Sequence, residues 1–316
     1  MLAARIIAPR RIEVFEESVP EPEKGKILVR LEKVAICGSD LPYFRDIHPA
    51  NSYPFSAGYP GHECVGVVEQ SDSSKFNEGD FVLVLPPSMD GFKEYHIITP
   101  DRLLHMPRHK DTSTMLMTQL LGAVVHGCRR ISDVWGKEVV VVGQGPVGLL
   151  FDSMLRNMGA NKIIGIDVLD YRLQLAQRMG ATHTIDAGGS NVSEVVKEIT
   201  EGRMADLVVE AIGREETLNM CFELARHNGV VAFFGICLDE SPQLNFNELF
   251  RKELRIIASV GPSLEIDYMY ALRMVLADQI KANNLISHTF TFSEIEKGFD
   301  LAINRKEKVI KVVLEF

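Results

Sequence analysis

The chain has 316 residues, 46% of them hydrophobic and 24% charged, with a formal net charge of −9. That length suits two domains better than one core, and the composition is that of an ordinary globular protein. The acidic balance argues against a nucleic-acid or anionic-membrane partner, which would want a basic face.

Taken in chain order, the start, MLAARIIAPRRIEVFEE, interrupts its apolar residues with Arg5, Arg10 and Arg11 and does not read as a signal peptide. No apolar run approaches the roughly 20 residues that span a bilayer. Residues 1 to about 120 read as short strands cut by Gly and Pro, as in KILVRLEKVAIC, GHECVGVVEQ and GDFVLVLPP. Near Leu120 the pattern changes. LGAVVHGCRRI has helical spacing, and KEVVVVGQGPVGLLFDSMLRNMGANKIIGID is an apolar strand, a glycine turn, an apolar helix and a second apolar strand. Alternating helices and strands follow: RLQLAQRMGA, HTIDA, SEVVKEIT, ADLVVEAIG, ETLNMCFELARHNG and VVAFFGI. Such alternation predicts a parallel sheet covered on both faces. The last segment adds a long helix over DYMYALRMVLADQI, a short strand SHTFTF, another helix and a closing strand VIKVVLEF that can pair back into the first part.

Gly143, Gly145 and Gly148 form GQGPVG between strand and helix, where a dinucleotide fold needs it. The first glycine allows the turn, the second admits a pyrophosphate, and the third lets helix and strand pack closely; the helix N-terminus, with Pro146 and Val147, supplies N–H donors. Asp167 ends the next strand nineteen residues after Gly148, at the place of the acid that binds the adenosine ribose. An acid there repels a 2′-phosphate and no arginine follows directly, the next being Arg172, so NAD is favoured over NADP. A methyltransferase uses a similar turn, so the fold alone does not fix the chemistry.

Five cysteines, odd in number and widely spaced, do not make a disulfide framework, and a reduced, cytoplasmic protein is expected. Cys37 stands alone in AICGSD and reads as a packing residue, a nucleophile or a metal ligand. His62 and Glu63 lie side by side in YPGHECVGVV, and thiolate, imidazole and carboxylate are the ligand types of catalytic zinc sites with an open position.

CGSD, then GHE with Gly66 and Val68, then EGDFV, then GQGPVG, in this order, resembles the medium-chain dehydrogenase/reductase superfamily, and within it the zinc-dependent alcohol and polyol dehydrogenases of the sorbitol and threonine dehydrogenase type. The resemblance covers essentially the whole chain. It implies an α/β protein with a GroES-like, mostly β catalytic domain over residues 1–121 and 261–316. A Rossmann doubly wound parallel-sheet domain that binds NAD is implied over residues 122–260, with the nicotinamide held beside the zinc. By the same correspondence Cys37 and His62 are zinc ligands, and Glu63 is a ligand or alternates with water. Ser39 passes on the alcohol proton, and Asp40 sits behind a ligand and fixes the histidine tautomer. Ala211, Gly235 and Val260 join the candidate cofactor contacts, as does Arg172.

Three departures from the family pattern stand out. GDFV runs through LVLPPSMD into GFKEYHIIT without the four-cysteine lobe, which predicts one catalytic zinc and no structural zinc. Gln119, followed by Leu120, stands where relatives place the third protein ligand, and its neutral carbonyl is a weaker donor than carboxylate or thiolate. Pro42 replaces the relay histidine that often follows the cysteine; His48, in the next loop, is a candidate substitute but reads first as an exposed, solvated histidine, with Ser39 then handing its proton to the cofactor ribose and water. Tyr43, Phe44, Tyr59, Pro86 and the loop SVGPSLE are candidate walls of a substrate pocket.

The expected function is a zinc-dependent oxidoreductase that moves a hydride between NAD and a small-molecule secondary alcohol, with polyols and sugar derivatives the favoured class. Two alternatives stay open: a zinc-free NAD(P)H quinone or enoyl reductase of the same superfamily, and a catalytically silent NAD-binding protein. A homodimer or homotetramer is expected, with the VVAFFGI strand as the sheet edge covered by a second copy.

Overall fold

The structure is a computed structural model and describes residues 1–46, 48–108, 111–131 and 133–316. The chain divides into two compact units: Met1–Gly122 with Leu264–Phe316, and Ala123–Ser263.

In the first unit, β1 (Leu2–Ala8) and β2 (Arg11–Glu16) form an antiparallel hairpin. They are followed by β3 (Ile27–Ile36), a short helix α1 (Leu41–Arg45), β4 (Glu63–Ser71), β5 (Phe81–Val84), β6 (Tyr95–Ile98) and β7 (Leu103–His105). Helix α2 (Thr112–Arg130) carries the chain into the second unit.

That unit is built from β8 (Glu138–Val142), α3 (Pro146–Asn157), β9 (Lys162–Asp167), α4 (Asp170–Met179), β10 (His183–Asp186), α5 (Val192–Ile199), β11 (Ala205–Glu210), α6 (Glu215–Leu224), β12 (Ala225–Phe233), α7 (Phe246–Arg251) and β13 (Arg255–Ala258). The chain returns to the first unit through a π-helical turn (Leu264–Tyr268), α8 (Met269–Leu276), β14 (Ile286–Thr291), α9 (Ile295–Asn304) and β15 (Lys311–Glu315).

The first unit's sheet runs β14-β15-β3-β4-β5-β7, with β6 also paired to β3. Its core is aromatic and aliphatic: Phe44, Phe92, Phe292 and Phe299 are fully buried among Ile6, Val29, Leu31, Val34 and Leu314. Register decides what this sheet can do. Strand β4 pairs antiparallel with β3 with Ala35 opposite Glu63, and β15 pairs antiparallel with β3 with Val312 opposite Ile36. The C-terminal end of β3, the start of β4 and the start of β15 therefore meet at one edge of the sheet.

The second unit is a six-stranded parallel sheet in the order β10-β9-β8-β11-β12-β13. Strand β8 is buried throughout, as a central strand covered on both faces must be. The order reverses between β9-β8 and β11-β12, which opens a crevice at the carboxyl ends of β8 and β11.

The sequence reading is corrected at three places. ARHNG does not extend helix α6 but opens β12, because residues 225–233 pair in parallel with β11, whose backbone partners outweigh local helix preference. VVAFFGI is thus an interior strand, and the sheet edge is β13. The helix expected over DYMYALRMVLADQI is a π-helical turn followed by the shorter α8.

Candidate active site

Cys37 follows β3, and a tight turn closes over it: the Asp40 N–H donates to the Cys37 carbonyl at 3.1 Å, and the Cys37 N–H donates to Asp40 Oδ2 at 2.8 Å. Ser39 sits half-buried in that turn and Asp40 is fully buried. Across the β3–β4 register lie His62 and Glu63. One donor atom from each of Cys37, His62 and Glu63 can be chosen so that all three fall within 4.8 Å of one another. An ion bonded at about 2.0–2.3 Å to each would close that span with a small inward movement. Among the described residues it is the one such group of three or more.

The imidazole is oriented for this. His62 Nδ1 is 3.2 Å from the Pro60 carbonyl, which can only accept, so a ring proton sits on Nδ1 and Nε2 is the nitrogen that could serve as a metal donor. Asp40 Oδ1 lies 3.2 Å from the same nitrogen, close enough for charge attraction though not aligned as a hydrogen bond. Burial raises the Asp40 carboxyl above its ordinary range, against the pull of His62 and of the Cys37 N–H. Burial alone would lower His62, but Asp40 and Cys37 lift it well above its usual value.

Glu63 is fully buried; its Oε1 accepts from Lys311 Nζ at 2.7 Å, and its Oε2 has no hydrogen-bond partner. Lys311 Nζ also donates to the Ile36 carbonyl at 3.2 Å. Burial would lower the Lys311 pKa, but Glu63 and Cys37 outweigh it and hold the ammonium charged. The buried thiol of Cys64, next in the chain, faces the Gly91 carbonyl at 4.0 Å and is pushed up by burial, so it packs as a small hydrophobe.

Gln119, on α2, is buried and shares a hydrogen bond with the Tyr268 hydroxyl. Burial and the negative charges of Glu63 and Asp267 push that phenol up. The aromatic candidates divide. Phe44 packs against Phe299 with ring centroids 5.0 Å apart and the rings tilted, and belongs to the core rather than to a pocket wall; Pro86 is buried too. Tyr43 and Tyr59 meet edge to face at 4.9 Å and share a hydroxyl hydrogen bond, with Asp40 in electrostatic reach of Tyr59. Pro42 opens α1. His48 packs among the rings of Tyr43, Tyr53 and Phe55 rather than standing in solvent.

In the second unit the glycine turn joins β8 to α3. Gly143 has φ +94°, which a side chain would resist, and a Cβ on Gly148 would run into the Gly143 carbonyl. Gly145 caps α3 and Pro146 fills its first turn, with Val147 half-buried beside it. A Cβ built on Gly145 meets nothing closer than Arg172 Nη1 at 3.9 Å, so the helix N-terminus is open to a phosphate group.

Asp167 is 7% exposed at the end of β9. Its Oδ2 accepts from the Gln144 N–H at 2.8 Å, and its Oδ1 accepts from the Val168 and Leu169 N–H groups at 2.8 and 3.0 Å. Arg172 Nη1 lies 3.5 Å from it. Ala211 follows β11 and donates its N–H to the Val142 carbonyl at 2.9 Å; Gly235 follows β12 and donates to the Glu210 carbonyl at 3.0 Å. Val260, 89% exposed, lies just past β13.

Sequence reasoning missed Lys311, Tyr268 and Glu210. Glu210 is fully buried at the end of β11, where its carboxylate accepts from Ile212, Gly213 and the Thr217 hydroxyl and shapes the loop beside Ala211. An acid closing an apolar strand was its only local signal.

A donor group of thiol, imidazole and carboxylate in one unit and a doubly wound sheet with an open glycine turn in the other are the two parts of a zinc-type dehydrogenase. Comparison with known families agrees. A family model of alcohol dehydrogenase GroES-like domains matches residues 23–108, and one of zinc-binding dehydrogenases matches residues 146–277. The chain is 29% identical to a sorbitol dehydrogenase of Halalkalibacterium halodurans, across 95% of this chain and 94% of that one. It is 27% identical to an L-threonine 3-dehydrogenase of Bacillus subtilis, across 95% and 93%. The fold is that of an alcohol dehydrogenase from Thermus sp. ATN1, with TM-score 0.90, 24% identity and all of both chains covered. The chain belongs to the zinc-type medium-chain dehydrogenase/reductase superfamily, in its polyol dehydrogenase branch.

Proposed function

We propose that this protein is an NAD-linked dehydrogenase of small secondary alcohols, polyols foremost, that uses a single zinc ion and no structural zinc. The observation that carries the reading is the buried Glu63 Oε2, unpartnered beside the Cys37 thiol and the His62 imidazole. Buried polar atoms are normally satisfied, and an uncompensated carboxylate oxygen among two soft donors fits a divalent ion.

In this reading Cys37 and His62 hold the ion, Glu63 is a third donor, and Asp40 keeps His62 oriented from behind. Gln119, tied to Tyr268, lies at the edge of this set as a weak donor. When bound, the ion polarises the alcohol oxygen and NAD accepts the hydride. Ser39, in the turn beside Cys37, takes the hydroxyl proton and passes it toward solvent. In the second unit the α3 N-terminus at Gly145, Pro146 and Val147 receives the pyrophosphate, while Asp167 accepts from the adenosine ribose hydroxyls and Arg172 flanks it. Ala211, Gly235 and Val260 complete the cofactor contacts.

A second copy of the chain covers the exposed edge β13, where Ile256 is accompanied by exposed Ile236, Leu238, Phe246 and Phe250. The mass in solution by light scattering checks this.

The test of function is reduction of NAD followed by absorbance across a panel of polyols, secondary alcohols and primary alcohols. Turnover of a secondary alcohol that a chelator abolishes and zinc restores supports the reading. Tight NAD binding with no turnover on any alcohol favours a silent binder instead, and chelator-insensitive reduction of quinones with NADPH favours the zinc-free reductase.

A further inference from the structure

The carboxyl edge of the second unit's sheet sets out an order. Asp167 closes β9, the glycine turn follows β8, and the next loops in line follow β11 and β12. A dinucleotide with its adenosine ribose at Asp167 and its pyrophosphate at the glycine turn must lay its second nucleoside over β11 and β12, the next strands along at a spacing of about 4.8 Å.

One fully buried acid organises both of those loops. Glu210 is the last residue of β11. Its Oε1 accepts from the Ile212 and Gly213 N–H groups at 3.0 and 2.9 Å and from the Thr217 hydroxyl at 2.7 Å, and its Oε2 accepts from the Gly213 N–H at 3.1 Å. The side chain thus folds residues 211–213 back over the strand end. Its main-chain carbonyl holds the other loop, accepting from the Phe234 and Gly235 N–H groups at 3.0 Å each. The two loops also fit into each other: a Cβ on Gly235 would strike Glu210 Oε2 and the Gly213 nitrogen, and one on Gly213, at φ +84°, would strike the Ile236 carbonyl.

The adenosine side is held by other means. The Gly143 N–H donates to the Ile166 carbonyl at 2.8 Å, and Asp167 has its own main-chain donors. We propose that Glu210 is a positioning residue for the nicotinamide riboside half of NAD. It acts through the loops at Ala211 and Gly235, whose ordering it supplies before the cofactor arrives, so that binding does not have to. The inference rests on the proposed NAD site and adds that the two halves of the cofactor are held by separable parts of the crevice.

The test is titration calorimetry on the full-length chain with two probes, NAD and ADP, of which only the first carries the nicotinamide riboside. Glu210→Gln keeps the shape and one acceptor but sets an amide N–H against the Gly213 N–H, so NAD affinity should fall about tenfold while ADP affinity changes less than twofold. Thr217→Val, which removes one donor to the carboxylate, should show a smaller loss with the same NAD-only signature and serves should Glu210→Gln fold poorly. In a Glu210→Gln background Thr217→Val should add little further loss, because the two act through one hydrogen-bonded group. A residue that merely supports the fold would weaken both probes together. Equal losses for NAD and ADP, or no loss of NAD affinity, in Glu210→Gln and Thr217→Val overturn the proposal. A parent chain that binds neither NAD nor ADP instead overturns the cofactor reading itself, so the two failures are told apart.

Discussion

The two units bury their acids in opposite ways. In the first, Asp40 and Glu63 are answered by side-chain cations drawn from other elements, His62 at 3.2 Å and Lys311 at 2.7 Å, and each keeps an oxygen outside any hydrogen bond. In the second, Asp167 and Glu210 close their strands by accepting from main-chain N–H groups of the following turn. A carboxylate satisfied by backbone is fixed in place with lone pairs to spare, which suits it to receive neutral hydroxyls. A carboxylate paired with a cation through one oxygen has the other to give, and several such groups together suit a metal ion. Under the proposed function the same residue types would serve a cofactor in one unit and a metal in the other, and what differs is where their hydrogen bonds come from.

His96 contrasts with Lys311, the buried cation of the same unit. Burial, with the charge of Lys93 helping and Asp90 opposing, pushes it down to about 4. A base whose folded pKa is depressed is bound by fewer protons than in the unfolded chain, so its contribution is intact above about pH 6.5 and lost as pH falls toward 4. The loss amounts to about 3 kcal/mol of stability at the acid end. Chemical denaturation at a series of pH values should show this slope in the parent and a flatter one in His96→Gln.

Asp167→Asn tests the backbone-satisfied acid. The amide loses the charge and cannot accept on both sides, so NAD affinity should fall on the order of ten- to a hundredfold, about 1.5–3 kcal/mol, by titration calorimetry. The zinc content should not change, since this acid belongs to the other unit. A simultaneous loss of zinc would undo the division drawn above.

Asp152 sharpens the comparison from the other side, because neither of its oxygens has a hydrogen-bond partner and it is fully buried on α3. Burial raises its pKa well above the usual carboxylate range. A raised acid contributes stability that is present below about pH 4 and lost as pH rises through its folded pKa. Asp152→Asn should therefore stabilise the protein on the order of 1–2 kcal/mol near neutral pH, with the gain shrinking in acid, by the same denaturation series.

Much of the nucleotide-type unit is legible in the sequence because its signals are local. GQGPVG sits between an apolar strand and an apolar helix, and Asp167 ends the next strand, so a short window holds turn, helix and acid together. What failed there was non-local: the sheet order that makes β13 the edge, and the parallel pairing that turns ARHNG into strand, are set by partners far along the chain. In the first unit, motifs pointed to Cys37, His62 and Glu63, yet nothing near Lys311 announces its pairing with Glu63 across 248 positions. That pairing exists because β15 returns to β3, and VIKVVLEF showed a closing strand without showing which of its residues would face the site. Tyr268 was hidden in the same way, inside a segment read as plain helix. Phe44 was misplaced for the simpler reason that an aromatic next to a site motif packs against Phe299 and says nothing of a pocket.

The measurement that bears most directly on the central claim is zinc per chain, by mass spectrometry under native conditions, on the parent and on Cys37→Ala purified without added metal. The account predicts about one zinc per parent chain and none in the variant, with NAD binding retained in both. A parent chain without zinc that folds and binds NAD normally would contradict it, and would leave the thiol of AICGSD as a packing residue.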